Sequence, residues 1–159
     1  MSKIVKKTIQ LLKKRKLKIS LAESCTGGLV SSMITSIGGA SKVFDSSFIT
    51  YSNKSKIKIL KVPKDVIKNY GSVSHQCCAC MLNNLMKITK TDITVAITGV
   101  AGPSGGSLKK PVGLVYIGIK IKKRILIKKF LFKRKKRSEI QKLSANNVFK
   151  ILLSKLKNM

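Results

Sequence analysis

The chain has 159 residues, 43% of them hydrophobic, and a formal charge of +29 from 34 basic residues set against five acids. That length suits one domain burying roughly two-thirds of its unfolded surface without staples, and no apolar run reaches the roughly 18 residues a membrane helix needs. Four clustered cysteines, Cys25, Cys77, Cys78 and Cys80, exclude the disulfide framework of a small secreted module. Lysines stand where a signal peptide would be apolar, so a soluble cytoplasmic protein with reduced thiols is expected.

Residues 4–15 set Ile4, Ile9, Leu11 and Leu12 among lysines at helical spacing, which predicts an amphipathic first helix. Residues 16–22 alternate Leu17, Ile19 and Leu21 and run into glycines, the pattern of a strand feeding a turn. Leu29, Val30, Met33 and Ile34 then recur helically until Gly38 and Gly39 stop the run. Residues 44–51, rich in aromatic and β-branched side chains, read as a second strand. Asn53 is read as the cap of a short helix to Leu60, and Pro63 as part of the first turn of another that Gly71 ends. Ser74 caps a longer helix, and residues 92–98 alternate Ile93, Val95 and Ile97 with Thr94 and Ala96 as a core strand. Residues 112–121 and 125–132 pair as a hairpin, and a helix over 138–156 closes the chain. Strands joined by both crossovers and a hairpin imply an α/β protein, a three-layer α/β/α sandwich with a mixed β-sheet, in a single domain over 1–159.

The charge by itself names no function. Nearly all the basic residues are lysines spread along the whole chain beside abundant Ile and Asn, as A/T-rich codons would produce, so only non-specific attraction to nucleic acid is expected. More chemistry lies in two glycine-bearing turns. Ser24-Cys25-Thr26-Gly27-Gly28 joins a strand to a helix, where glycine lets a ligand approach the backbone and the helix start offers unpaired N–H groups. Ser24 there could be a nucleophile, or the turn could be a capped structural one. His75 is the only histidine, so the base is sought among lysines; Lys54, Lys56 and Lys58 stand together, and their mutual repulsion would help keep one amine neutral. The turn over 98–107 carries four glycines and suits either a phosphate cradle or a long bland loop; it lacks the Gly-Lys-Ser/Thr ending of a Walker loop. His75, Cys77, Cys78 and Cys80 fall on one helix without a second ligand pair, so no metal is expected.

Five blocks taken together are specific: Ala22-Glu23-Ser24-Cys25-Thr26-Gly27-Gly28, Phe48 to Asn53, Gly71-Ser72-Val73-Ser74, Thr98 to Gly106, and Lys110-Pro111-Val112-Gly113. In that order, over nearly the whole chain, they closely resemble the CinA C-terminal domain family, which includes the stand-alone nicotinamide-nucleotide amidohydrolase. The resemblance implies hydrolysis of the carboxamide of nicotinamide mononucleotide to nicotinate mononucleotide and ammonia, without cofactor, by probable homo-oligomers such as dimers. It also implies a Ser-Tyr-Lys catalytic group, in which Ser24 is the nucleophile and Lys56 takes its proton, assisted by Tyr51, whose phenol would relay a proton or orient the amine. Thr26, Gly27 and Gly28 would supply oxyanion donors, and Gly99, Ala101, Gly102, Gly105 and Gly106 would hold the substrate.

Departures from the family pattern mark where binding could differ. Ser47 replaces a glycine, Lys109 an acid, and the segment Phe132 to Arg137 departs from a Phe-x-Gly-Asp/Asn-Arg pattern, with Arg137 matching its arginine after a one-residue shift and Gln141 in the place of a second arginine. The larger family members carry a further N-terminal domain, for which 159 residues are expected to leave no room. Two alternatives stand beside the amidase: a decayed member acting as a basic nucleic-acid-binding protein, and an enzyme whose nucleophile is the Cys25 thiol.

Overall fold

The computed structural model describes residues 2–159. Its sheet is organised by β1 (Ile19–Glu23), buried at every position and flanked on both sides by parallel neighbours, β2 (Phe44–Ile49) and β3 (Ile93–Gly99). Two antiparallel strands, β4 (Leu114–Ile121) and β5 (Arg124–Leu131), extend it, giving the order β2-β1-β3-β4-β5. The mixed sheet follows from the connections, since a tight turn can reverse β4 into β5 whereas parallel strands need crossovers.

The two faces of the sheet carry different residues. Ile19, Leu21, Ile93, Val95, Ile97, Val115, Ile117 and Ile119 face one way and pack with α1 (Ser2–Lys14), α2 (Leu29–Thr35) and α6 (Arg137–Lys157). Each such side chain, fully buried, contributes about 1.5–3 kcal/mol of transfer free energy. The opposite face presents Ala22, Ala96, Thr94 and Gly118, small groups that let α5 (His75–Thr89) lie close against the strands. A Cβ at Gly118 would stand 2.5 Å from Leu82 Cδ1 and 2.8 Å from Cys78 Sγ. Thr94 Oγ1 donates to the Leu82 carbonyl at 3.2 Å on the same face. The shorter α3 (Asn53–Lys58) and α4 (Lys64–Tyr70) lead into α5 and complete the third layer. No described helix is long and apolar enough to cross a membrane.

Several boundaries shift for local reasons. Lys16 adopts φ 54° and Leu17 N donates to the Leu12 carbonyl, so these residues close α1 instead of starting the strand. The cap of α3 is Ser52, not Asn53: its side chain accepts from Ser55 N at 3.0 Å while Ser55 Oγ accepts from Ser52 N at 3.1 Å. That reciprocal box is available only if the helix begins one residue earlier in register. Pro63 precedes the first residue of α4, and β5 starts at Arg124 after a two-residue turn. Ser47 carries a buried hydroxyl without a hydrogen-bond partner among the described residues.

Candidate active site

The carboxyl ends of the three parallel strands converge on one small cavity of about 180 Å³. Ser24 follows β1 directly and is fixed by its own amide, which donates to the Ile97 carbonyl at 3.1 Å. Thr50 follows β2 and donates to the Glu23 carbonyl at 2.8 Å. These two ladder bonds place a hydroxyl and a free carbonyl side by side.

Lys56, only 1% exposed, reaches both from α3. Its Nζ lies 2.9 Å from Ser24 Oγ, 2.7 Å from the Thr50 carbonyl and 3.4 Å from the Tyr51 carbonyl. A neutral amine has two N–H groups and one lone pair, so the carbonyls take the two N–H groups and the lone pair faces the Ser24 hydroxyl. In the ammonium form the third N–H donates to Ser24 instead. One geometry therefore serves both protonation states, which proton transfer between them requires. Burial pulls the amine below its ordinary value of 10.5, with the Cys77 and Cys25 thiols opposing it slightly. The neighbours Lys54 and Lys58 are exposed, so the expected cause, repulsion among the three lysines, gives way to desolvation.

Tyr51 is placed differently from the sequence expectation. Its ring is 58% exposed, and its hydroxyl accepts from Arg137 Nη2 at 2.7 Å, bonding to neither Ser24 nor Lys56. What Tyr51 offers the amine is its carbonyl. Arg137, on the first turn of α6, donates its other arm to the Gly102 carbonyl at 2.7 Å and so bridges the glycine loop to Tyr51 at the cavity.

Of the residues singled out from sequence, the cavity brings together Ser24, Tyr51, Lys56, Gly99, Ala101, Gly102 and Arg137. It leaves out Thr26, Gly27, Gly28, Gly105 and Gly106. Gly27 N already donates to the Ser24 carbonyl at 3.1 Å and Gly28 N to Glu23 Oε2 at 3.0 Å, so neither amide is free for an oxyanion. The amides of Cys25 and Thr26 donate to no acceptor among the described residues. Thr26 is buried outside the cavity lining, and its hydroxyl has no hydrogen-bond partner among the described residues. Gly105 is exposed, and Gly106 packs on Val112, where a Cβ would come within 2.9 Å of the Val112 amide.

Ser72, Val73 and Ser104 also line the cavity and were not expected there. The turn bearing the first two is tied in by Thr98 Oγ1, which donates to the Ser72 carbonyl at 2.7 Å. The only sequence signal for them is their place in two of the blocks that carry the resemblance, 71–74 and 98–106. Gln141 donates to the Cys25 carbonyl at 2.9 Å and thereby braces the 24–28 turn from α6. Cys25 is buried and its thiol is pushed up to about 12 by burial, which makes it a poor nucleophile beside Ser24.

Comparison with known proteins gives one consistent result. The family described as CinA C-terminal domain matches residues 1–156. A CinA-like protein of Prochlorococcus marinus (strain MIT 9515) is 47% identical over 155 residues, 94% of this chain and 36% of that protein. A CinA-like protein of Dictyoglomus turgidum is 50% identical over 114 residues, 72% of this chain and 28% of that protein. The chain thus spans about a third of the length of these relatives. Among solved structures, the competence/damage inducible protein CihA of Agrobacterium tumefaciens superposes with a TM-score of 0.94 at 33% identity, over 98% of this chain and 94% of its own. A CinA superfamily protein of Klebsiella pneumoniae shares the fold at a TM-score of 0.95 and 23% identity, over 99% of this chain and 98% of its own.

Proposed function

Because the chain belongs to the CinA C-terminal domain family, we propose that it hydrolyses the carboxamide of nicotinamide mononucleotide to nicotinate mononucleotide and ammonia. The observation that supports this most is the buried Lys56 amine 2.9 Å from Ser24 Oγ, with two carbonyls occupying its other donors. Ser24 Oγ attacks the amide carbon as its proton passes to the Lys56 lone pair. The oxyanion takes the amide of Cys25, which lines the cavity and donates to no acceptor among the described residues. Collapse expels the amine, which receives the proton from the Lys56 ammonium and leaves as ammonia. Water, deprotonated by the same lysine, then cleaves the Ser24 ester and releases the acid.

Arg137 is the cavity's second cation and pairs with the substrate phosphate, a bidentate task that suits guanidinium better than ammonium. The reaction so written needs neither metal nor organic cofactor. The homo-oligomer implied by the resemblance belongs to the same proposal, and light scattering of the purified chain checks it.

Ammonia release from nicotinamide mononucleotide tests the reading. Ser24→Ala and Lys56→Ala should each lower turnover by at least about 10²–10⁴-fold while the fold remains. Most of the activity surviving in a folded Ser24→Ala protein would overturn the assignment.

A further inference from the structure

Glu23 is the one acidic side chain with no solvent exposure, and the catalytic steps above leave it unused. Its carboxylate accepts four hydrogen bonds. Oε2 takes Gly28 N at 3.0 Å and Val30 N at 3.2 Å; Oε1 takes Ser31 N at 2.8 Å and Ser31 Oγ at 2.6 Å. No basic side chain pairs with it among the described residues. Burying an unpaired charge is costly even when its lone pairs are filled. A seven-residue helix such as α2 could be capped locally by Ser or Asp, yet its cap position holds Gly28, which offers no side chain.

The long reach accomplishes what a local cap cannot. Running from residue 23 to residues 28, 30 and 31, the side chain closes a ring around Ser24, Cys25, Thr26 and Gly27. Inside that ring Gly27 N turns back to the Ser24 carbonyl, and the two amides left without acceptors are those of Cys25 and Thr26. The main chain of Glu23 holds the other half of the site, because its carbonyl accepts from Thr50 N and the Thr50 carbonyl in turn accepts from Lys56 Nζ.

Resting on the reading of Ser24 as nucleophile, we propose that Glu23 is a positioning residue whose carboxylate locks the 24–28 turn. It keeps Ser24 Oγ on the Lys56 amine and the Cys25 amide open to the oxyanion. It also fills the donors at the start of α2 with the protein's own negative charge, which leaves the substrate's phosphate to Arg137.

Glu23→Gln tests the proposal, since it preserves size but turns an N–H₂ group toward donors that need an acceptor. The primary readout is the second-order rate at which a fluorophosphonate labels Ser24, followed by intact mass, because it does not depend on which amide is the substrate. The expected loss is about 10²-fold, in line with removal of one oxyanion donor. In the ammonia assay kcat should fall by a similar factor, KM should stay within about twofold, and the pH limb set by Lys56 should not move, because that amine keeps its burial and its acceptors. Wild-type labelling in folded Glu23→Gln, or a loss explained by a displaced pH limb, would overturn it. Should Glu23→Gln fail to fold, Ser31→Ala removes the hydroxyl donor and leaves three amides. It should slow labelling several-fold, and unchanged labelling there would overturn the proposal. A wild-type protein labelled at Ser24 yet inert toward the nucleotide would sink the substrate reading alone; no labelling of Ser24 would sink both.

Discussion

The buried amine makes a stability prediction with a definite sign. Lys56→Met keeps a similar unbranched stem and removes the amine, so three groups lose their partner: Ser24 Oγ and the Thr50 and Tyr51 carbonyls. That loss does not depend on pH and costs about 1–3 kcal/mol for each group left dry. The ionisation part does depend on pH. Because burial lowers the folded pKa below 10.5, the unfolded chain binds a proton that the folded chain does not throughout the window between them. Wild-type stability therefore rises with pH across that window relative to Lys56→Met, and the burial penalty is at full size below the folded pKa. Each unit by which the pKa is lowered is worth about 1.4 kcal/mol, or about 3–6 °C in Tm for a chain of this size. Thermal melts of both proteins from about pH 6 to about pH 10 give the difference directly, and the shared background of titrating lysines cancels in it. A difference that stays flat, or that moves against wild type as pH rises, would refute the claim that Lys56 is held toward its neutral form.

Three further outcomes follow from named contacts. Tyr51→Phe removes the bond to Arg137 but keeps the carbonyl on Lys56, so KM should rise by about 3–10-fold with kcat nearly unchanged; a collapse of kcat at constant KM in steady-state assays would return the phenol to proton transfer. Gly118→Ala pushes a methyl group against Leu82 and Cys78 and should cost about 1–3 kcal/mol, a drop in Tm of about 2–12 °C by calorimetry. Iodoacetamide should modify half-exposed Cys80 first while buried Cys25 stays intact by mass spectrometry and activity persists; early loss of activity with Cys25 modified would favour the thiol nucleophile.

Much of the fold was legible because its signals are periodic. Alternation marked β3, helical recurrence marked α1, α2 and α6, and the count of crossovers against one hairpin implied a mixed sheet between two helical layers. The errors sit where main-chain hydrogen bonds decide and side-chain pattern is silent. Leu17 alternates with Ile19 and Leu21, yet its amide closes α1. Ser52 and Asn53 cap helices about equally well in isolation, and only the reply from Ser55 separates them.

The site divides along the same line. Residue types pointed to Ser24 and the lysine group, and helical spacing could have chosen among the lysines: Lys56 stands four residues before the fully buried Leu60, which puts both on the inward face, while Lys54 and Lys58 fall outside it. What no residue pattern carries is the contribution of the backbone. The carbonyls that take the two N–H groups of Lys56 belong to Thr50 and Tyr51, and the amides left without acceptors among the described residues belong to Cys25 and Thr26, whatever their side chains. A reading confined to side chains did not show that Tyr51 meets Lys56 through its carbonyl while its phenol accepts from Arg137, and it gave the amides of Gly27 and Gly28 a vacancy that Ser24 and Glu23 fill. Glycine after a candidate nucleophile signals that the backbone turns sharply; which amides the turn leaves open depends on what the chain itself bonds to them, and here the Ser24 carbonyl takes Gly27 N and the Glu23 carboxylate takes Gly28 N.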